Sequence, residues 1–296
     1  MFPIRAKRLR RLFLALPCLA PVSSARAVDS VVLKPRYDGP TEAYVEFDTD
    51  SVQKMSGPGG NPMEIKSRSV YGLLQKTTPK GDTVAIEATL DRLLGFMAFG
   101  ESVQSFYDTD DPDYQDASPM HRDTFGPILN MPLKITLNKT GLATAVVGAE
   151  QIRRKLKAMG EQNFVAKSLA EGDFTDRRVM SNFGEGPSIL YPFRTVNVGD
   201  TWKQTQKDEY PQVGKVIVNY DCTLDRIEKS GGRELAIVAY KGTITKDHDE
   251  KPAKDQRLGK IDGMFTGTAK FDVQQGRCVE IVRESNVKIE VPPWWT

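Results

Sequence analysis

The chain has 296 residues, 39% hydrophobic and 27% charged, with a formal net charge of +2. That length supports one large β-rich domain or two smaller units with a sizeable core. Without the six cations of residues 1–27 the balance is mildly acidic, which gives no electrostatic reason to bind nucleic acid or an anionic lipid surface.

Residues 1–27 read as a three-part secretory signal peptide. Arg5, Lys7, Arg8, Arg10 and Arg11 form a basic stretch, and residues 12–22 are apolar. That run contains Pro17 and Pro21 and falls short of the about 20 residues a spanning helix needs. Ala25-Arg26-Ala27 places small residues where a signal peptidase reads, so cleavage is expected after Ala27. Cys18 follows Pro17, where lipidation wants a small residue, so a soluble exported protein is expected, in the periplasm or outside the cell, with a lipoprotein the lesser alternative. Taking the leader's six cations from +2 leaves −4 on a mature chain of 269 residues, and no later stretch approaches membrane-spanning length.

From residue 28 the pattern is mainly β. Tyr44-Val45-Glu46-Phe47 is a short β-rich run, and residues 57–62 form a Gly- and Pro-rich loop. Residues 69–75 and 83–90 flank a Pro- and Gly-containing turn at 77–82, and in the second arm Val84, Ile86 and Ala88 alternate with Ala85, Glu87 and Thr89. Residues 108–123 are acidic and read as loop. Residues 134–137 and 142–147 flank Asn138-Lys139-Thr140-Gly141, a second hairpin whose glycine suits a positive φ. The period then changes: over 148–170, Ile152, Leu156 and Met159 fall on one helical face, and Gly160 is expected to split the segment into two helices.

After a polar, irregular stretch at 171–187, a second β section starts near Pro192. Residues 214–227 and 234–244 flank Ser230-Gly231-Gly232-Arg233, and residues 267–274 and 277–291 flank Gln275-Gly276. Residues 81–86 align with 232–237, and 134–137 with 270–273, which suggests two related halves closing on a shared core around the helical segment; coincidence of common hairpin chemistry is the alternative. The expected divisions are 1–27, an N-terminal β half at 28–147, a helical and irregular connector at 148–190, and a C-terminal β half at 191–296. The fold class is mainly β (α+β): hairpin-rich halves forming a curved antiparallel sheet or open barrel with a central helical insertion.

Three stretches carry a family resemblance: Phe106-Tyr107-Asp108-Thr109-Asp110-Asp111-Pro112; Met131-Pro132-Leu133-Lys134-Ile135-Thr136-Leu137-Asn138-Lys139-Thr140-Gly141-Leu142 with Val146-Val147-Gly148 after it; and Tyr191-Pro192 with Val196-Asn197-Val198-Gly199-Asp200-Thr201-Trp202. With them the chain resembles a family of secreted bacterial proteins known as domain of unknown function 6263. The resemblance implies a mostly β, envelope-facing domain and carries no activity, so it assigns no residue a role.

The chemistry-bearing candidates are few. Asp108, Asp110, Asp111, Asp113 and Asp116 have a composition suited to a hard cation, with Asp108, Asp110 and Asp113 as a calcium candidate, although the spacing is not that of an EF-hand and a solvated loop is the plainer reading. His121 and His248 sit in polar stretches and lack the further ligands of a zinc site; either could serve as a general base, and an exposed surface histidine is the plainer reading. Ser188 lacks the frame of a nucleophile elbow. Cys222 and Cys278 remain after cleavage, and either a disulfide or two buried thiols fits an exported chain. Trp294 and Trp295 either cover one end of the β core or meet a partner.

These features lead to a non-enzymatic exported binding protein, for a lipid or other apolar small molecule, needing no cofactor. The alternatives are a structural or interaction protein with an envelope protein partner, and a hydrolase with dispersed residues. N-terminal sequencing of protein recovered from an exporting host should begin at Val28; an intact Met1 would refute the leader.

Overall fold

The computed structural model describes residues 30–56, 62–111, 123, 125–159, 163–210, 213–247 and 259–290. The expected leader at residues 1–27, His121, His248, Asp113, Asp116, the expected helix break at Gly160, Trp294 and Trp295 lie outside these residues.

Two antiparallel sheets carry the molecule. The first has the order β2 (Thr41–Ser56), β3 (Pro62–Lys80), β4 (Thr83–Phe99), β6 (Pro132–Asn138), β7 (Ala143–Val147). Strand β5 (Ser102–Asp108) pairs with the far part of β4, beyond the residues that pair with β6. The second sheet has the order β9 (Thr201–Tyr210), β10 (Gly214–Ser230), β11 (Arg233–Lys246), β12 (Lys260–Asp272), β13 (Arg277–Glu290). The two sheets run through five strands in the same sequential order, with β5 inserted between β4 and β6 in the first. Each follows a short strand, β1 (Ser30–Val32) before the first and β8 (Thr195–Asn197) before the second. These two strands pair with each other, Val31 opposite Val196. The expected fold class is therefore present, mainly β with a helical insertion. Neither sheet closes into a barrel.

Local chemistry explains the turns. Gly231 and Gly232 both have positive φ, as a two-residue turn with right-handed strand twist requires. At the β6–β7 turn the Asn138 carboxamide oxygen accepts from the Thr140 and Leu142 amides at 2.9 and 3.0 Å, and Gly141 stands at φ 79°. The matching turn of the second sheet repeats this with Asp272, which accepts from the Gln275 amide at 2.8 Å, and with Gly276 at φ 64°. The β3–β4 turn is tighter than expected. Strand β3 continues through Pro79, which pairs with Val84. Pairing with β2 stops at Thr77, so the missing proline amide faces a free edge.

Helix α1 (Ala149–Ala158) buries Ile152 and Leu156, with Met159 packed on the same cluster, as the spacing predicts; α2 (Phe164–Glu171) and α3 (Asp176–Val179) follow. These helices cover the first sheet. Ile152, Leu156, Phe174 and Phe183 join Leu73, Leu90, Leu133, Ile135 and Leu137 in one core. Phe183 meets Phe47 edge-on at 5.4 Å, and the Tyr71 hydroxyl donates to the Asp173 carboxylate at 2.8 Å.

The second sheet has its own core, in which Val31, Leu33, Leu190, Tyr191 and Val196 lie among Trp202, Val218, Leu224, Val238, Phe265 and Phe271. The halves thus bury two separate cores, where the internal similarity suggested one shared core. Residues 31–33 belong to the second core although they precede the first sheet in the chain. The segment then crosses over: the Arg36 amide donates to the Gly276 carbonyl at 2.9 Å, and Tyr37 packs on the first core. Residues 183–191 make the opposite crossing, from Phe183 in the first core to Tyr191 in the second. The Trp202 indole and the Gln204 amide hold that segment by donating to the Leu190 and Tyr191 carbonyls at 2.9 and 3.1 Å.

Leu33 is fully buried in the second core. Leu33→Ala should cost about 2–5 kcal/mol by urea denaturation of the whole mature chain. A change below about 0.5 kcal/mol, the scale of an exposed position, would show that the N-terminal segment is not part of that core.

Candidate functional site

The acidic stretch comes first, because its carboxylates are already engaged. Arg92 on β4 reaches Asp108 through Nε at 3.2 Å and Nη2 at 2.9 Å, Asp110 at 3.1 Å and Glu46 at 3.2 Å. The paired carboxylates hold the guanidinium pKa well above its ordinary value. Thr109 pins the start of the loop to β4, its amide donating to the Leu93 carbonyl and its hydroxyl accepting from the Leu93 amide, both at 2.9 Å. A neighbouring pair on the same face joins Arg68 to Asp48 at 2.6 and 2.9 Å and lowers the Asp48 pKa. Arginine therefore takes the place proposed for calcium at Asp108 and Asp110. Among the described residues no three His, Cys, Asp or Glu side chains are grouped to hold a metal ion.

Ser188 is buried, with its hydroxyl close to Gly141 and beside the Tyr37 hydroxyl, so the crossing segments pack together there. Glycine is required at 141: a Cβ there would stand 2.8 Å from the Ser188 hydroxyl oxygen and 3.1 Å from that of Tyr37.

The two thiols are free, in keeping with the second of the two alternatives, a pair of unbridged thiols. Cys222 faces the second core opposite Trp202 on β9 and Tyr240 on β11. Its row continues through Gly267 to Arg283 on β13, whereas Cys278 lies opposite Phe271 near the start of that strand. Three strand spacings separate β10 from β13, roughly 14 Å at the usual distance between neighbours, and a bridge needs Cα atoms within about 7 Å. Burial pushes the Cys222 thiol up to about 12. The Cys278 thiol is also raised by burial. It lies beside the buried Tyr191 hydroxyl and donates to the Glu280 carbonyl at 3.2 Å.

What remains is the surface, and there one element stands apart. Strand β13 is exposed along both faces and its outer edge: of its fourteen residues, Cys278 and Val287 alone are half-buried and none is fully buried. It nevertheless carries Val279, Ile281, Val282 and Ile289, which are 43%, 43%, 51% and 46% exposed. The register places Ile281, Arg283, Ser285, Val287 and Ile289 on the core-facing side, opposite Ala269, Gly267, Phe265, Gly263 and Ile261. The second core thus reaches β13 only through Cys278 and Val287, which pack against it half-buried, and leaves the rest of the strand as an apron. Arg283 lies 4.0 Å above the Phe265 ring, an attraction between cation and π face. The Tyr240 hydroxyl passes over Gly267 to donate to the Val282 carbonyl at 3.0 Å. A Cβ on Gly267 would fall 2.2 Å from that carbonyl oxygen, so only glycine lets Tyr240 brace the strand.

The sequence marks β13 as the arm of a hairpin and no more. One signal was present: Val279, Ile281 and Val282 break strict alternation, so apolar residues occupy both faces. Among the described residues no helix is long and apolar enough to cross a membrane.

These features define the class: an antiparallel two-sheet β protein with a short helical insertion and an exposed apolar edge strand. Its family model matches residues 81–277, 197 of the 296, so the chain belongs to the family of unknown function DUF6263. The match runs from the β3–β4 turn to Arg277, the first residue of β13. No curated protein matches the chain.

With both thiol pKa values raised, the thiolate fraction at pH 8 is small and alkylation of the native protein is slow. Mass spectrometry of the unreduced mature chain should show two free thiols, with iodoacetamide modifying both rapidly only after unfolding in urea. A mass two units lower that rises on reduction would restore the disulfide.

Proposed function

We propose that this protein is an exported, non-enzymatic binding protein of the cell envelope that works by protein association through the open edge of β13. Export rests on the basic, apolar and small-residue pattern of residues 1–27. The observation that carries the association is the exposure of β13. A strand edge offers unpaired amides and carbonyls to a partner strand, and apolar side chains beside them supply the burial that makes such pairing stable.

The filled cores favour this reading over a carrier that encloses a lipid. Leu33, Leu73, Leu90, Leu133, Val196, Leu224 and Phe271 all have 0% exposure, so the facing sides of both sheets are occupied by the chain itself. A carrier needs a concave apolar cavity to enclose most of its ligand. Nor do the described candidates for chemistry favour a hydrolase: Ser188 is buried beside Tyr37, and Asp108 and Asp110 are ion-paired with Arg92.

Native mass spectrometry of the mature chain after incubation with vesicles of phosphatidylethanolamine and phosphatidylglycerol tests the reading. Protein free of bound lipid is the expected result. One lipid retained per chain would overturn it in favour of an apolar-ligand carrier.

A further inference from the structure

The partner of β13 can be narrowed by asking what its edge fits. The carbonyls of Val282 and Asn286 face β12: the first accepts from Tyr240, and the second lies 3.0 Å from where a Cβ on Gly263 would stand. Backbone direction alternates along a strand. Ile281, Arg283, Ser285, Val287 and Ile289 therefore aim their amides and carbonyls at the free edge.

The edges at β2, β9 and β7 are less suited to pairing. Strand β2 carries Glu42, Glu46, Asp48 and Asp50 against Lys54, so a second copy of it would bring like charges together. Strand β9 is crossed by Arg177, whose guanidinium donates to the Lys207 carbonyl at 2.9 Å. Strand β7 has five residues. Charges on an edge normally deter pairing. On β13 they are ordered so that a two-fold axis turns them into partners. With the axis at Asn286, Glu284 of each copy stands opposite Lys288 of the other, Ser285 opposite Val287, and Arg283 opposite Ile289. Asn286 meets itself, where two carboxamides can exchange hydrogen bonds. Among the described residues Lys288 pairs with Glu290, at 2.8 Å, while Glu284 has no ion-pair partner.

We infer that the partner is a second copy of this chain: two β13 strands pair antiparallel about Asn286 and join the second sheets of two molecules into one ten-stranded sheet. The inference rests on the proposed role of β13 and names the occupant of that edge. In that register Val287 and Ile289 of each copy stand beside Ser285 and Arg283 of the other, while Val279 and Ile281 lie outside the paired stretch.

Sedimentation equilibrium of the mature chain at low salt should show a dimer, weakened as ionic strength rises. Glu284→Lys sets two lysine pairs across the axis and should weaken dimerisation about tenfold; Lys288→Glu should do the same with glutamates. The double variant E284K/K288E restores opposite charges and should return the affinity to near that of the parent. Ser285→Pro removes an amide that faces the free edge, leaves the ladder to β12 intact, and should give a folded monomer. A parent chain that stays monomeric at all concentrations overturns self-pairing. A dimer insensitive to both charge reversals and to Ser285→Pro overturns the edge as its seat. Neither failure bears on the lipid experiment, so a monomer free of lipid would leave the binding role with a different protein partner, whereas lipid retention would remove the role itself.

Discussion

The antiparallel contact between β1 and β8 is the constraint on which the rest of the molecule depends. Val31 and Val196 are buried opposite each other at its centre, and each begins the run-in to one of the two meanders. Because β1 pairs with a strand of the other half, the chain must cross to reach β2, and it must cross back through residues 183–191. Each crossing segment leaves apolar groups in one core and enters the other, so the two sheets, though separately packed, are stitched together twice. Tyr37 and Ser188 bring the segments together beside Gly141, and Arg36 closes on the equivalent turn at Gly276. Long-range contacts of this kind carry a large loop-closure entropy cost, offset here by the complete burial of Leu33, Val196 and Tyr191.

The two halves share a strand order but differ in how they are covered, and that difference is where function is placed. The first sheet receives the helical insertion over its core-facing side, with Arg153 bonded to the Phe174 carbonyl at 2.8 Å and to Asp176 at 2.6 Å to hold the insertion together. Among the described residues the second sheet receives no α-helix, only the 3-10 turn at Gly186–Leu190. Residues 31–33 and 190–196 cover it from one side, and the cover leaves most of β13 exposed, with Cys278 beside Tyr191 and Val287 half-buried. An exposed strand of fourteen residues with apolar groups on both faces is costly to leave in water. Its retention, braced by Tyr240 and Arg283, is what a surface that is covered in use requires. Salt links between the insertion and the second sheet, Arg178 to Asp208 at 3.1 Å among them, hold the opposite edge of that sheet. The asymmetry leaves one edge engaged and the other open.

Much of the fold was legible because it rests on short-range chemistry. Asn138 followed by Gly141, the Gly231-Gly232 pair, and Ile152 with Leu156 each carry their own instruction, and each became the expected turn or helical face. Strand lengths were less legible. Residues 44–47 were the readable part of β2, yet the strand runs from Thr41 to Ser56 because its partner β3 is long enough to pair with all of it. Pro79 reads as a turn residue, and its place in β3 follows from where β2 stops. The candidate site was less legible still. Asp108 and Asp110 resemble cation ligands in sequence, and the arginine that claims them lies 16 and 18 positions away. Cys222 and Cys278 look like a pair until the register puts three strand spacings between them. The exposed character of β13 depends on where the second core ends, which no residue of β13 encodes.

By itself the sequence determined the class of structure, the position of its turns, the repeat of hairpin, loop and hairpin, and the family. These depend on backbone chirality, on side chains that bond their own neighbours, and on the periods of two and 3.6 that separate strand from helix. The tertiary structure alone decided which core receives residues 31–33, that the cores are two, that the thiols are apart, and that β13 is bare. Each of those is a contact, or a missing contact, between residues far apart in the chain, and its free energy depends on the register and burial reached only when the whole chain has folded.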